Sequence, residues 1–292
     1  MNKLSYARTA NKYLKLVKFS HTVFALPFAL IGFSLAVFYD QKDFQLRTFI
    51  LVLLSMIFAR SAAMAFNRWL DRNIDAKNPR TSIREIPAGF ISARHALTFT
   101  IVNCLLFILV TWFINLICFF LSPVALFVIL FYSYTKRFTP LCHLVLGLGL
   151  SLAPIGAYLA VTGFFDWLPL LFSGIVFTWV AGFDIIYALQ DEAFDKENHL
   201  FSIPAVLGKK NALRVSALLH FITAVLVIVA GYLSGLGLLY WIGAALFIAL
   251  LVVQHRLVSP DDLSKVNAAF ALTNGVGSLI FAAFTICELI FY

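Results

Sequence analysis

Charge is scarce in this chain. Asp, Glu, Lys and Arg together make up 12% of its 292 residues, about half the share in an average soluble domain. So few charges cannot cover a water-soluble globule of this length, which excludes an ordinary soluble enzyme. Cysteine is sparse as well. Cys104, Cys118, Cys142 and Cys287 are widely spaced and form no CxxC pair, which excludes a zinc ribbon and a disulfide framework and leaves buried, inert thiols. A cleavable signal peptide is not expected either: the first 18 residues are polar and basic, and the apolar stretch after them is as long as a full span.

What the chain has instead is apolar length. Hydrophobic residues make up 62% of it, and the mean hydropathy is +0.93. No charge occurs between His95 and Thr135, between Val215 and His255, or between Val266 and Cys287. Each of the first two runs holds 41 residues, enough for two spans of about 20 residues and a tight turn. Turns are expected at Phe113 to Leu116 and at Gly231 to Gly237. The pattern predicts an all-α membrane protein of a single domain over residues 1–292. Its nine-helix bundle has spans at 19–39, 48–67, 96–114, 117–135, 141–162, 168–190, 211–231, 236–255 and 267–289.

The 22 basic residues fix the expected orientation. Nineteen fall in the N-terminal segment and the even-numbered loops, two (Lys42 and Arg47) fall in odd-numbered loops, and Arg60 lies inside the second span. This asymmetry predicts a cytoplasmic N-terminus in a multi-pass protein of the cell (inner) membrane. It also makes the net charge of +8 a property of one face, suited to attracting an anionic substrate. No nucleic-acid partner is expected, and the lipid bilayer is the surrounding partner.

Two segments of that face repeat each other. Asp71 and Asp191 are 120 residues apart, as are Asp75 and Asp195, Asn67 and Tyr187, Lys136 and Arg256, and Pro140 and Pro260. One offset shared by unrelated residue types points to a duplicated four-helix unit. Residues four apart share a helix face, so Asn67, Asp71 and Asp75 form one stripe, and Asp184, Tyr187, Asp191 and Asp195 form another. Arg60 lies two turns upstream of Asn67 on the same face. Asp184 and Arg60 are intramembrane charges, which face a polar cavity or a partner.

A single DxxxD is usually a solvated helix face. Two at matching membrane depth, each beside basic loops, point to a shared metal and phosphate site. Carboxylates converging without His or Cys suit Mg²⁺, which takes oxygen ligands, commonly one or two carboxylates together with substrate phosphates. Lys136 and Arg137, at the end of the fourth span, are candidates for holding a diphosphate, with Arg80 and Arg84 assisting.

At these residues the chain resembles the UbiA-type intramembrane prenyltransferase superfamily. The likeness runs from Lys18 to about residue 290. It rests on Asn67, Asp71 and Asp75 as NxxxDxxxD, on Asn78-Pro79-Arg80-Thr81 with Arg84-Glu85-Ile86-Pro87-Ala88-Gly89, and on Asp184, Tyr187, Asp191 and Asp195 as DxxYxxxDxxxD. Lys136–Arg137, Gly147 and Pro154-Ile155-Gly156 also fit. The group it looks closest to is the bacterial 4-hydroxybenzoate polyprenyltransferases, although Arg68 and Trp69 stand where many quinone-pathway members have other residues.

The resemblance implies a central cavity open to the cytoplasmic side. Asn67, Asp71, Asp75, Asp191 and Asp195 would hold the metal-diphosphate, with Lys136 and Arg137 as basic contacts. The substrates would be a polyprenyl diphosphate and an aromatic acid. On this reading Asp71, Asp191, Asp184 and Tyr187 carry catalysis. Asp184 would bond the acceptor or take its proton, and Tyr187 would position a phosphate or the acceptor. Arg60 either pairs with an acceptor carboxylate or forms an internal salt bridge with Asp184. Other readings are prenylation of a dihydroxynaphthoate, or of a haem or chlorophyll precursor, and, in a different class, an ion-coupled transporter with acids near the bilayer midplane.

Overall fold

The computed structural model describes residues 26–291 together with Tyr13 and Leu16, without the side chains of residues 271–273. The basic residues before position 19 and the start of the first predicted span lie outside the described residues. Among the described residues all regular structure is helical. The helices are α1 (Leu26–Ser34, extended by a π-helical turn Leu35–Tyr39), α2 (Leu46–Leu70), α3 (Arg72–Lys77), α4 (Ala93–Ile114), α5 (Leu116–Thr135), α6 (Cys142–Thr162), α7 (Trp167–Ala188), α8 (Glu192–Glu197), α9 (Ile203–Ser234), α10 (Leu238–Leu257) and α11 (Gly275–Phe291). A 3₁₀ turn, Leu189–Asp191, joins α7 to α8, and π-helical Ala269–Asn274 leads into α11.

Seven of these helical stretches are long and apolar enough to cross a membrane: α2, α4, α5, α6, α7 running on to Glu197, α9 and α10. At the first and last predicted spans stand two shorter apolar helices, Leu26–Tyr39 and Gly275–Phe291. The α4–α5 turn falls where expected and is a single residue, Asn115. Its side chain accepts from the Cys118 amide at 2.9 Å to start α5 and donates to Leu159 O of α6 at 2.8 Å. The α9–α10 turn is shorter than expected. Gly231 lies within the helix, with Tyr240 packed where its Cβ would sit, and the chain reverses at Gly235, with φ 69°. α9 starts earlier than the predicted span and is broken at Gly208, whose φ of 75° and ψ of 162° belong to glycine.

α7 lies at the centre, with 61% of its most apolar window buried against 17% for peripheral α5. Phe28 of α1, Phe172 and Trp179 of α7, Phe247 of α10 and Phe281 of α11 form the core. Phe247 and Phe281 stack at 5.0 Å, and Phe28 meets Trp179 at 5.2 Å. α1 and α6 cross where Gly32 meets the Pro154 carbonyl, and a Cβ there would lie 2.0 Å from that oxygen. Opposite this core, α2, α5, α6 and α7 enclose a cavity.

The offset of 120 residues reappears in the elements. Shifted by that number, α3 falls on 192–197, the range of α8, and α2 falls on 166–190, within two residues of α7 at either end. Both long helices break at the equivalent aspartate, Asp71 with φ −87°, ψ 1° and Asp191 with φ −102°, ψ 1°.

Candidate active site

The cavity holds about 630 Å³. One end is apolar, walled by Val52, Met56, Ile114, Cys118, Leu159 and Phe165. The other is charged, and there Asn67, Asp71, Asp75, Arg80, Lys136, Asp184, Tyr187, Asp191 and Asp195 all reach the wall, with Arg60 further up α2. The two acidic stripes, 120 residues apart in sequence, therefore face one space.

Their charges interlock. Asp71 is 1% exposed and holds two cations from the end of α5, Lys136 Nζ at 2.5 Å and Arg137 at 2.8 Å. Asn67 donates to its Oδ2 at 3.3 Å. Asp75 takes Arg84 at 2.7 Å, and its second oxygen, Oδ2, is buried with no partner. The segment after α3 crosses to the other stripe. Arg80 pairs with Asp191 through both its Nε and a terminal nitrogen and donates to the Tyr187 hydroxyl at 3.0 Å. Asn78 donates to Asp191 at 3.1 Å. Burial works against the Arg80 charge, but its bonds to Asp191 and Tyr187 outweigh that and raise its pKa above the ordinary arginine value. Asp195 accepts from Ser202, the N-cap of α9, at 2.8 Å.

The structure adds detail to three expectations. Among the described residues no three Asp, Glu, His or Cys side chains gather as a cluster; Asp71, Asp75 and Asp191 are each paired with cations. Arg137 does not reach the cavity wall. It props Asp71 while donating to Ser133 O and Leu70 O. The acidic stripes are not free of histidine, since His143 at the start of α6 bonds Asp184 at 2.7 Å. Asp184 makes no ion pair with Arg60, which among the described residues has no ion-pair partner and whose buried Nε has no hydrogen bond. His143 escaped sequence reading because it lies 41 residues from Asp184 and outside either motif. Arg68, 3% exposed on the cavity wall with an unpartnered Nε, was also given no role. Its position beside Asn67 was the only signal.

A profile of the UbiA prenyltransferase family matches residues 25–281. The chain belongs to this family. It is a multi-span membrane prenyltransferase, similar to the 4-hydroxybenzoate octaprenyltransferase of Nitrosomonas europaea, at 33% identity over 235 residues and 80% of each chain. The enzyme of the same description from Nitrosospira multiformis is 30% identical over 241 residues, 82% of this chain and 83% of its own. Among solved structures, the apo UbiA homolog from Aeropyrum pernix K1 superposes with a TM-score of 0.83 at 32% identity, covering 92% of this chain and 98% of that one. A homolog from Archaeoglobus fulgidus bound to GPP and Mg²⁺ shares the fold at a TM-score of 0.76 and 22% identity, covering 96% and 100%.

Proposed function

We propose that this chain transfers a polyprenyl group from an allylic diphosphate to 4-hydroxybenzoate, on the way to a quinone. The observation that carries this reading is a single cavity with an apolar end and a charged end, the latter built from both acidic motifs and their arginines and lysine. Its relatives of known name use 4-hydroxybenzoate, and a homologous fold binds GPP with Mg²⁺.

The residues fit a metal-diphosphate. The donors are all oxygen, Asp75 Oδ2 is buried and unpartnered, and Mg²⁺ needs only one or two carboxylates when phosphate supplies the rest. Asp71, Asp75, Asp191, Asp195 and Asn67 would hold it. Once bound, the metal supplies positive charge opposite the oxygens of the leaving group. Lys136 and Arg80 then exchange their carboxylate partners for diphosphate oxygens, and Arg137 keeps Asp71 in place. Stabilising charge as it develops on the departing diphosphate lowers the barrier to ionisation. The apolar end excludes water from the allylic cation and accommodates the tail, and Tyr187, Phe183 and Phe270 line the space between with π faces.

Arg60 binds the acceptor carboxylate, since Asp184 pairs with His143 and a guanidinium on the cavity wall whose buried Nε has no partner calls for an anion. Asp184 receives the proton the ring loses. The bundle has nine spans within one domain, arose by duplication of a four-helix unit, and presents this site to the cytoplasm from the inner membrane. Membranes containing the chain, given labelled polyprenyl diphosphate, Mg²⁺ and either 4-hydroxybenzoate or a dihydroxynaphthoate, test the reading. Label should pass to 4-hydroxybenzoate, and transfer to the naphthoate alone would reassign the acceptor.

A further inference from the structure

His143 is 2% exposed and sits in the first turn of α6, outside both acidic motifs in sequence. Two contacts hold its ring. The Ile203 amide, the first of α9, donates to Nε2 at 3.3 Å. Nδ1 lies 2.7 Å from Asp184 Oδ2. A nitrogen that accepts from a backbone N–H carries no proton, so the imidazole proton is on Nδ1 and is donated to Asp184. The tautomer is therefore set by the backbone of α9. Asp184 keeps its other oxygen, Oδ1, which among the described residues has no hydrogen-bond partner. Its side chain is a quarter exposed, on the cavity wall.

The geometry points to His143 as the positioning residue for the base of the reaction: it holds Asp184 ionised and aimed, with Oδ1 turned to the acceptor ring. This rests on the prenyl-transfer reading above. The donor C–O bond breaks and its electron pair leaves with the diphosphate. A ring π pair forms the new C–C bond. The C–H pair at the alkylated carbon then returns to the ring, and the proton passes to Asp184 Oδ1 and on to solvent. His143 keeps its proton throughout. A carboxylate three-quarters buried without a donor would be costly to keep ionised, and the Nδ1–H bond offsets that cost.

The test compares ring-protiated acceptor with acceptor deuterated at the alkylated carbon, using purified full-length protein and whichever acceptor wild type turns over. If wild type alkylates no aromatic acid, the functional reading fails before the dyad is tested. If it does, His143→Leu should lower kcat roughly tenfold to a hundredfold, the worth of one charge-assisted hydrogen bond, with both KM values held. A deuterium isotope effect on kcat, larger than in wild type, should appear because proton loss has become slow. His143→Gln, which keeps a donor, should recover part of the rate and reduce the isotope effect. Packing damage alone would slow turnover without creating such an effect. The proposal is overturned if His143→Leu shows no added isotope effect, or if its loss is carried by the donor KM. Asp184→Asn guards against a variant that does not fold: it should cost about a hundredfold or more, as expected of a general base. Wild-type turnover in Asp184→Asn would end the proposal whatever happens at His143.

Discussion

Asp71 binds Lys136 and Arg137 at once while nearly fully buried, and Asp191 is held by Arg80 and Asn78. Each carboxylate anchors one half of the site, so neither half can substitute for the other. Asp71→Ala and Asp191→Ala should each cut turnover by about a hundredfold or more, the scale of losing one preorganised charge-stabilising group. Comparing kcat of the two variants checks this, and sensitivity in only one would break the two-motif account. Arg60 gives the second residue-level prediction. About 10 Å of helix separates it from Asn67, which on the proposed reading puts its fork beyond the diphosphate. Arg60→Ala should raise the acceptor KM roughly ten- to a hundredfold and leave the donor KM nearly unchanged. A rise in donor KM alone would move Arg60 to the diphosphate. The acids and Lys136 were legible as residues because their spacing is helical and their loops are basic. Their pairing was not: whether a cation faces substrate or a carboxylate depends on rotamers, and so Arg137 became a prop and His143 went unseen.

Among elements, helix positions were readable because an apolar run bounded by polar caps admits little else in a bilayer. The breaks inside helices were harder to read. Asp71 and Asp191 interrupt stripes that the i, i+4 spacing drew as continuous, although the Asp75 amide still reaches Asp71 O at 2.8 Å. Beyond each break the last carboxylate of the stripe bonds the segment that follows: Asp75 pairs with Arg84 and Asp195 accepts from Ser202. The far end of the bundle carries a charge that the sequence left unexplained. Glu288, near the end of α11, accepts from the Gly237 and Leu239 amides at 2.9 Å each and so caps α10 from another helix. A carboxylate at a helix N-terminus is favourable. Glu288→Ala should therefore destabilise the fold by about 1–2 kcal/mol, the worth of a lost cap. The expected result is a lower melting temperature in detergent with kcat of the folded fraction unchanged. An equal melting temperature would remove Glu288 from the stabilising contacts.

At the scale of the whole molecule, one bundle obtains a two-sided site from two acidic helix ends that lie far apart in sequence. The long helices α2 and α7 are each followed by a short helix that carries an aspartate pair across the break, and both pairs line one cavity. The dry apolar end and the charged end are inseparable in this design, since ionising an allylic diphosphate requires one and protecting the cation requires the other. The most direct measurement follows both products in the same reaction. Purified protein receives polyprenyl diphosphate and 4-hydroxybenzoate, and pyrophosphate and prenylated acid are quantified before chelation, after chelation and after Mg²⁺ is restored. The account predicts equal amounts of the two products, loss of both on chelation, and recovery of both with Mg²⁺. Full transfer in the absence of any divalent ion, or pyrophosphate released without prenylated acid, would contradict it.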